Sequence, residues 1–155
     1  MYDTIRIPTD GSKGTEQAIT NGLDIAQRYG ATVHGLYVID IADLLEIGYV
    51  GDRSDFEATI EPLEETAKRA VEAIEKRAGR MDVDVGVITV VRQGPPYETV
   101  VEYADEVDAD LIVMGTHGRR GLPRYFLGSV TERVVRTADV PVLTVRMPAN
   151  EKPAK

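Results

Sequence analysis

Binding a phosphate requires N–H donors that a main chain can present at close range, and residues 114–132 offer them. The stretch Met114-Gly115-Thr116-His117-Gly118-Arg119-Arg120-Gly121-Leu122-Pro123-Arg124-Tyr125-Phe126-Leu127-Gly128-Ser129-Val130-Thr131-Glu132 has glycines at 115, 118, 121 and 128. Glycine adopts positive φ readily and lets a ligand approach the backbone closely. Ser129 followed by Glu132 has capping-box spacing, so a helix is predicted to start near Ser129. Its free N–H groups and positive dipole end would then face the loop. Residues 115–136 contain five arginines (119, 120, 124, 133, 136) and one acid, Glu132. That segment carries +4 in a chain of net charge −8, which leaves −12 for the rest. No Gly-Lys-Ser/Thr follows, so the loop is not a Walker A motif, nor is it Gly-x-Gly-x-x-Gly. Spacing alone leaves two readings: a phosphate site, or a surface turn with ordinary helix capping.

Four other residues invite chemistry. Asp10 could meet a ribose hydroxyl or a metal ion, or it could simply cap the first helix. On the residues alone the cap is the stronger reading. Val38 could offer backbone N–H and C=O to a purine edge, although a core valine is the plainer reading. His117 could donate to phosphate or act as acid or base, and a solvated loop histidine is the plainer alternative. His34 lies in a strand pattern and reads as structural. With zero cysteines, two histidines and no His-x-x-x-His spacing, a dedicated zinc site is not expected. No nucleophile, base and orienting group are recognisable as a set.

The elements that must position these residues follow from periodicity. Apolar runs predict strands at 2–9, 31–39, 83–91, 111–114 and 140–145. Helices are predicted at 13–29, 56–79, from Pro95-Pro96 to about 107, and from Ser129. The first should bury Ala18, Gly22, Ile25, Ala26 and Tyr29 and stop at Gly30. The second should bury Ile60, Leu63, Ala67, Ala70, Val71, Ile74 and Ala78, and the last should turn Val130, Val134 and Val135 inward. Residues 40–55 read as an excursion, with a short helical piece possible at 42–47. Strands alternating with helices predict one α/β domain over 1–147, an open, parallel, five-stranded Rossmann-like sheet with helices on both faces. Residues 148–155 read as a disordered tail. A strand order of 3-2-1-4-5 would set Pro8-Thr9-Asp10 beside Gly115–Ser129, where such sheets bind ligands.

Composition narrows the classes. The 155 residues suffice for a sizeable core, and 43% are hydrophobic. A net charge of −8 disfavours nucleic acid as a partner. No run is long enough for a membrane span and the N-terminus lacks signal-peptide features, so a cytoplasmic protein is expected.

The pattern Gly115-x2-Gly118-x9-Gly128-Ser129 resembles the signature of the ATP-binding subgroup of the universal stress protein family. The likeness runs over about residues 2–146 and includes Pro8-Thr9-Asp10-Gly11-Ser12, Gly30-Ala31, Gly94, Asp110, Ile112-Val113-Met114-Gly115, Gly128-Ser129-Val130-Thr131 and Val140-Pro141-Val142-Leu143. The resemblance implies the 3-2-1-4-5 sheet, with ATP and a Mg2+ or Mn2+ ion in its crevice. Adenine would meet Val38, Pro8 and Thr9, with Asp10 near the ribose or the metal. Met114, Gly115, Gly118, Gly128, Ser129, Val130 and Thr131 would line the pocket and hold ribose and phosphates. It also implies a homodimer through the last strand, 140–145, which has the bare apolar edge that pairing would cover. The function expected is that of a nucleotide-dependent stress-response sensor or regulator with at most slow ATP hydrolysis. The alternatives are an ATP hydrolase or phosphotransferase, or a dimeric module that binds AMP or no nucleotide.

Overall fold

The computed structural model describes residues 1–42, 53–116 and 127–146. In chain order its elements are β1 (Thr4–Pro8), α1 (Lys13–Tyr29), β2 (Thr32–Ile39), α2 (Arg53–Arg80), β3 (Val87–Gln93), α3 (Pro96–Glu106), β4 (Leu111–Gly115), α4 (Ser129–Thr137) and β5 (Val142–Val145). The five strands pair in parallel in the order β3-β2-β1-β4-β5, as the sequence predicts.

Strand alternation divides the core between the two faces of the sheet. Ile5 and Ile7 of β1, Val33 and Val113 pack against Ala18, Ile19, Leu23 and Ala26 of α1 and Ile74 and Ala78 of α2. On the other face Leu36, Ile112 and Met114 pack against Val100, Tyr103 and Ala104 of α3 and Val134 of α4. Gly22 lets α1 lie directly on β1, since a Cβ there would stand 2.5 Å from Ile7 Cδ1. Asp110 ties the N-terminus to β4, its Oδ2 accepting the N–H groups of Asp3 (2.8 Å) and Thr4 (2.9 Å).

The buried face of α2 is close to the predicted one, but two other helices are rotated. α1 buries Thr15, Ala18, Ile19, Gly22, Leu23 and Ala26. Tyr29, expected inside, is 48% exposed and meets the Tyr2 ring edge-on at 5.1 Å. The bulkier Ile19 and Leu23 set the face instead. α4 buries Thr131 and Val134 and leaves Val135 46% exposed. β3 begins at Val87 rather than 83, because residues 81–86 return the chain from α2 to the sheet. β5 begins at Val142. Pro141 has no N–H for the ladder, but its carbonyl accepts the Ile112 N–H at 3.0 Å. The possible helical piece at 42–47 falls almost wholly outside the described residues, as does the tail.

Candidate functional site

β1 has β2 on one side and β4 on the other, so the connections leave their C-terminal ends in opposite directions, which is where open α/β sheets bind ligands. The turn after β1 forms one wall. Thr9 N–H donates to the Leu36 carbonyl at 2.8 Å, fastening the turn to β2. Gly11 N–H donates to Thr9 Oγ1 (3.1 Å) and Ser12 N–H to Asp10 Oδ1 (2.9 Å). Gly11 stands at φ 77°, a left-handed conformation that a side chain would strain. Asp10 Oδ1 therefore closes the turn that leads into α1. Ser12 occupies the N-cap position, yet its side chain makes no capping bond. A cavity of about 570 Å3 lies beside this turn between α1 and α2, lined in part by Asp10, Ser12, Thr15, Tyr37, Leu63 and Arg69. That volume is within the range of small-molecule sites.

The end of β4 and the start of α4 form the other wall. Pro8, Thr9, Met114, Gly115 and Thr131 are buried, Asp10, Val38, Gly128 and Val130 are half-buried, and Ser129 is exposed. Gly128 N–H donates to the Thr116 carbonyl at 2.7 Å, closing the base of the loop. Thr131 Oγ1 donates to the Gly115 carbonyl at 2.9 Å, fastening α4 to β4. His117, Gly118 and the loop arginines 119, 120 and 124 lie outside the described residues.

The capping box does not form. The N-cap is Gly128, and Ser129 is the first helical residue. That register places Thr131, not Glu132, at the third helical position, and Glu132 instead pairs with Arg136 at 2.6 Å. The first helical bond runs from Glu132 N–H to the Gly128 carbonyl at 2.9 Å. Helix geometry therefore leaves the amides of Ser129, Val130 and Thr131 without an acceptor inside α4. The Thr131 hydroxyl positions the helix, so its contribution to an anion comes through its N–H. Arg133 stacks 5.1 Å from the Tyr97 ring centroid and Arg136 holds Glu132, so these two arginines are engaged along the helices.

Val38 fits both of its readings. Its side chain packs into the core beneath α3. Its main chain is placed by its neighbours: the Leu36 carbonyl bonds toward β1 and the Ile39 carbonyl accepts Gly94 N–H on the β3 side. Peptide groups alternate along a strand, so Val38 N–H and C=O point toward β1. The last β1–β2 pair is Pro8 with Leu36, two residues earlier. Thr15 and Thr116 lie outside the predicted site residues. Thr15 Oγ1 lies 3.0 Å from Thr9 Oγ1 and donates to the Ser12 carbonyl at 2.8 Å, bracing the turn after β1. His34 sits on β2 with its Nδ1 3.1 Å from the Tyr103 hydroxyl.

The model of the universal stress protein family matches residues 1–146. The chain belongs to the universal stress protein family. This universal stress protein is 38% identical to Universal stress protein MJ0531 of Methanocaldococcus jannaschii over 151 residues, covering 97% of this chain and 86% of that one. The solved structure of MJ0577 superposes with a TM-score of 0.80 at 31% identity, covering 96% of this chain and 98% of the other. A universal stress protein solved in complex with cAMP gives a TM-score of 0.59 at 25% identity, covering 95% and 98%. Among the described residues, no group of three His, Cys, Asp or Glu could hold a metal ion. No described helix is long and apolar enough to cross a membrane.

Proposed function

We propose that this universal stress protein binds ATP in the crevice between the β1 turn and the N-terminus of α4, and acts as a nucleotide-dependent regulator of a cytoplasmic stress response. The observation that carries the reading is the set of amides at 129–131, pinned beside β4 by the Thr131–Gly115 bond. Three amides and a helix dipole suit a polyphosphate. The cAMP complex of a related protein supports an adenine nucleotide as ligand. Adenine would read the outward main chain of Val38, with Pro8 and Thr9 beneath it. Ribose would meet Asp10 and Gly115 beside Met114, and the phosphates would meet Gly118, Gly128, Ser129, Val130 and Thr131. A charge-assisted hydrogen bond contributes about 1.5–3 kcal/mol. Micromolar affinity needs about 8 kcal/mol, so several such bonds suffice after ordering costs.

A Mg2+ or Mn2+ ion fits the site as the nucleotide's own companion. Asp10 alone supplies a carboxylate at the turn, and such ions are commonly held by phosphates, waters and one or two carboxylates. The ion would neutralise phosphate charge. A homodimer through β5 would cover that strand's free edge. Hydrolysis would be at most slow, because the sequence shows no nucleophile, base and orienting group recognisable as a set.

Calorimetry with Mg-ATP tests the reading. Micromolar binding is expected, reduced at least tenfold in Gly118→Val and in Gly128→Val. Gly128 lies at φ −60°, so valine there obstructs the site without straining the backbone. Unchanged affinity in both variants contradicts the proposal. Rapid metal-dependent ADP formation in a single turnover, lost in His117→Ala, would favour an enzyme instead.

A further inference from the structure

Arg6 lies in the middle of the sheet at 0% exposure. Alternation turns Ile5 and Ile7 toward α1 and α2, and Arg6 toward α3. There its guanidinium carbon stands 3.7 Å from the centroid of the Tyr103 ring. Among the described residues, its Nε, Nη1 and Nη2 have no hydrogen-bond partner. An aromatic ring covers the face of a guanidinium but satisfies none of its in-plane N–H groups. Buried polar groups are almost always hydrogen-bonded, and a buried charge without a counter-ion is especially costly.

The one carboxylate among the described residues whose charge acts on Arg6 is Glu106, which favours the charged form but is held by Arg92 at 3.1 Å, and Arg92 itself lies 5.0 Å from the same ring centroid. Burial lowers the pKa of Arg6 to about 9, which keeps it charged at neutral pH. His34 is the register partner of Arg6 on β2. Burial first, then the charge of Arg6, push the His34 pKa below its ordinary value, so it is neutral at pH 7. Two arginines and one carboxylate leave this cluster net positive. His34 Nδ1 and the Tyr103 hydroxyl share a hydrogen bond at 3.1 Å, and the tautomer in which Nδ1 accepts carries the ring proton on Nε2 as a further donor.

We propose that Arg6, His34 and Arg92, grouped around Tyr103, hold a small inorganic anion of chloride size between α3 and the sheet. The complete burial of Arg6 sets the size, because a nucleotide could not reach its N–H groups. The donors set the class, since a halide accepts N–H bonds and brings no proton to place. Entry is at the margin where α3 stops covering β3, marked by Ile88 at 47% exposure and the Arg92 side chain at 44%.

Thermal unfolding of the full chain at fixed ionic strength, with gluconate exchanged for chloride, reads this site. Chloride should raise Tm saturably, by on the order of 3–6 °C at about tenfold excess over its dissociation constant. Arg6→Met should abolish the rise, and Arg80→Gln, outside the cluster, should keep it. An equal response in Arg6→Met, or a wild-type Tm indifferent to the exchange, overturns the proposal. If Arg6→Met does not fold, bromide soaked into wild-type crystals decides. An anomalous peak in contact with the Arg6 guanidinium supports the site, and its absence overturns it.

Discussion

On the face covered by α1 and α2, β1 presents Ile5 and Ile7 to a continuous hydrocarbon core. On the face covered by α3 and α4, the same five-residue strand presents Arg6 beside Tyr103, with His34 next to it on β2. The first face gains stability from burial and close approach, as at Gly22. The second also carries charge that burial alone would reject. One strand thus serves two cores, and the difference shows that alternation can place a charge where bulk hydrophobicity would not.

Truncating one buried side chain on each face tests that contrast. Ile7→Ala, on the hydrocarbon face, should cost about 2–5 kcal/mol in denaturant unfolding, since Ile7 is fully buried. Arg6→Met, on the other face, should have the opposite sign. It should raise stability by about 1–4 kcal/mol in chloride-free buffer, because a buried charge gives way to an apolar chain. A loss comparable to that of Ile7→Ala would show the arginine to be a net stabiliser and erase the contrast.

Acidification has a smaller effect. The unfolded chain takes up a proton on His34 near its ordinary pKa, while the folded chain resists until lower pH. Stability contributed by neutral His34 is therefore present above about pH 6.5 and lost as pH falls toward the lowered folded value. The groups around it are Arg6, Arg92, Glu106 and Tyr103, and of these the charge of Arg6 opposes its protonation. His34→Gln should flatten that part of the pH–stability curve, and an unchanged slope would contradict this assignment. The smallest effect belongs to the exposed Glu132–Arg136 pair, where Glu132→Gln should cost under about 0.5 kcal/mol and less in high salt.

Much of this was legible in the sequence. Alternating periods predict every strand and helix here, and the glycine-bearing stretch after β4 points to the switch point between β1 and β4. Gly30 reads correctly as the stop of α1, adopting φ 67°. The errors have local causes. Ser129 and Glu132 have capping-box spacing, but the Thr131–Gly115 bond sets a register in which Gly128 is the cap. Tyr29 and Val135 satisfy helical spacing, yet each helix settles on a neighbouring row. Alternation sets Arg6 on the face opposite Ile5 and Ile7, but nothing in the sequence says which side chains will meet it there. Tyr103 and His34 lie 69 residues apart, and only the parallel sheet and α3 bring them together.

The amides of 129–131 and the main chain of Val38 are proposed to hold the two ends of one nucleotide. A crystal structure of the protein grown in excess Mg-ATP tests it most directly. The expected result is phosphate oxygens on the α4 amides and the adenine edge on Val38. A crevice left vacant or filled by the protein's own side chains would contradict it.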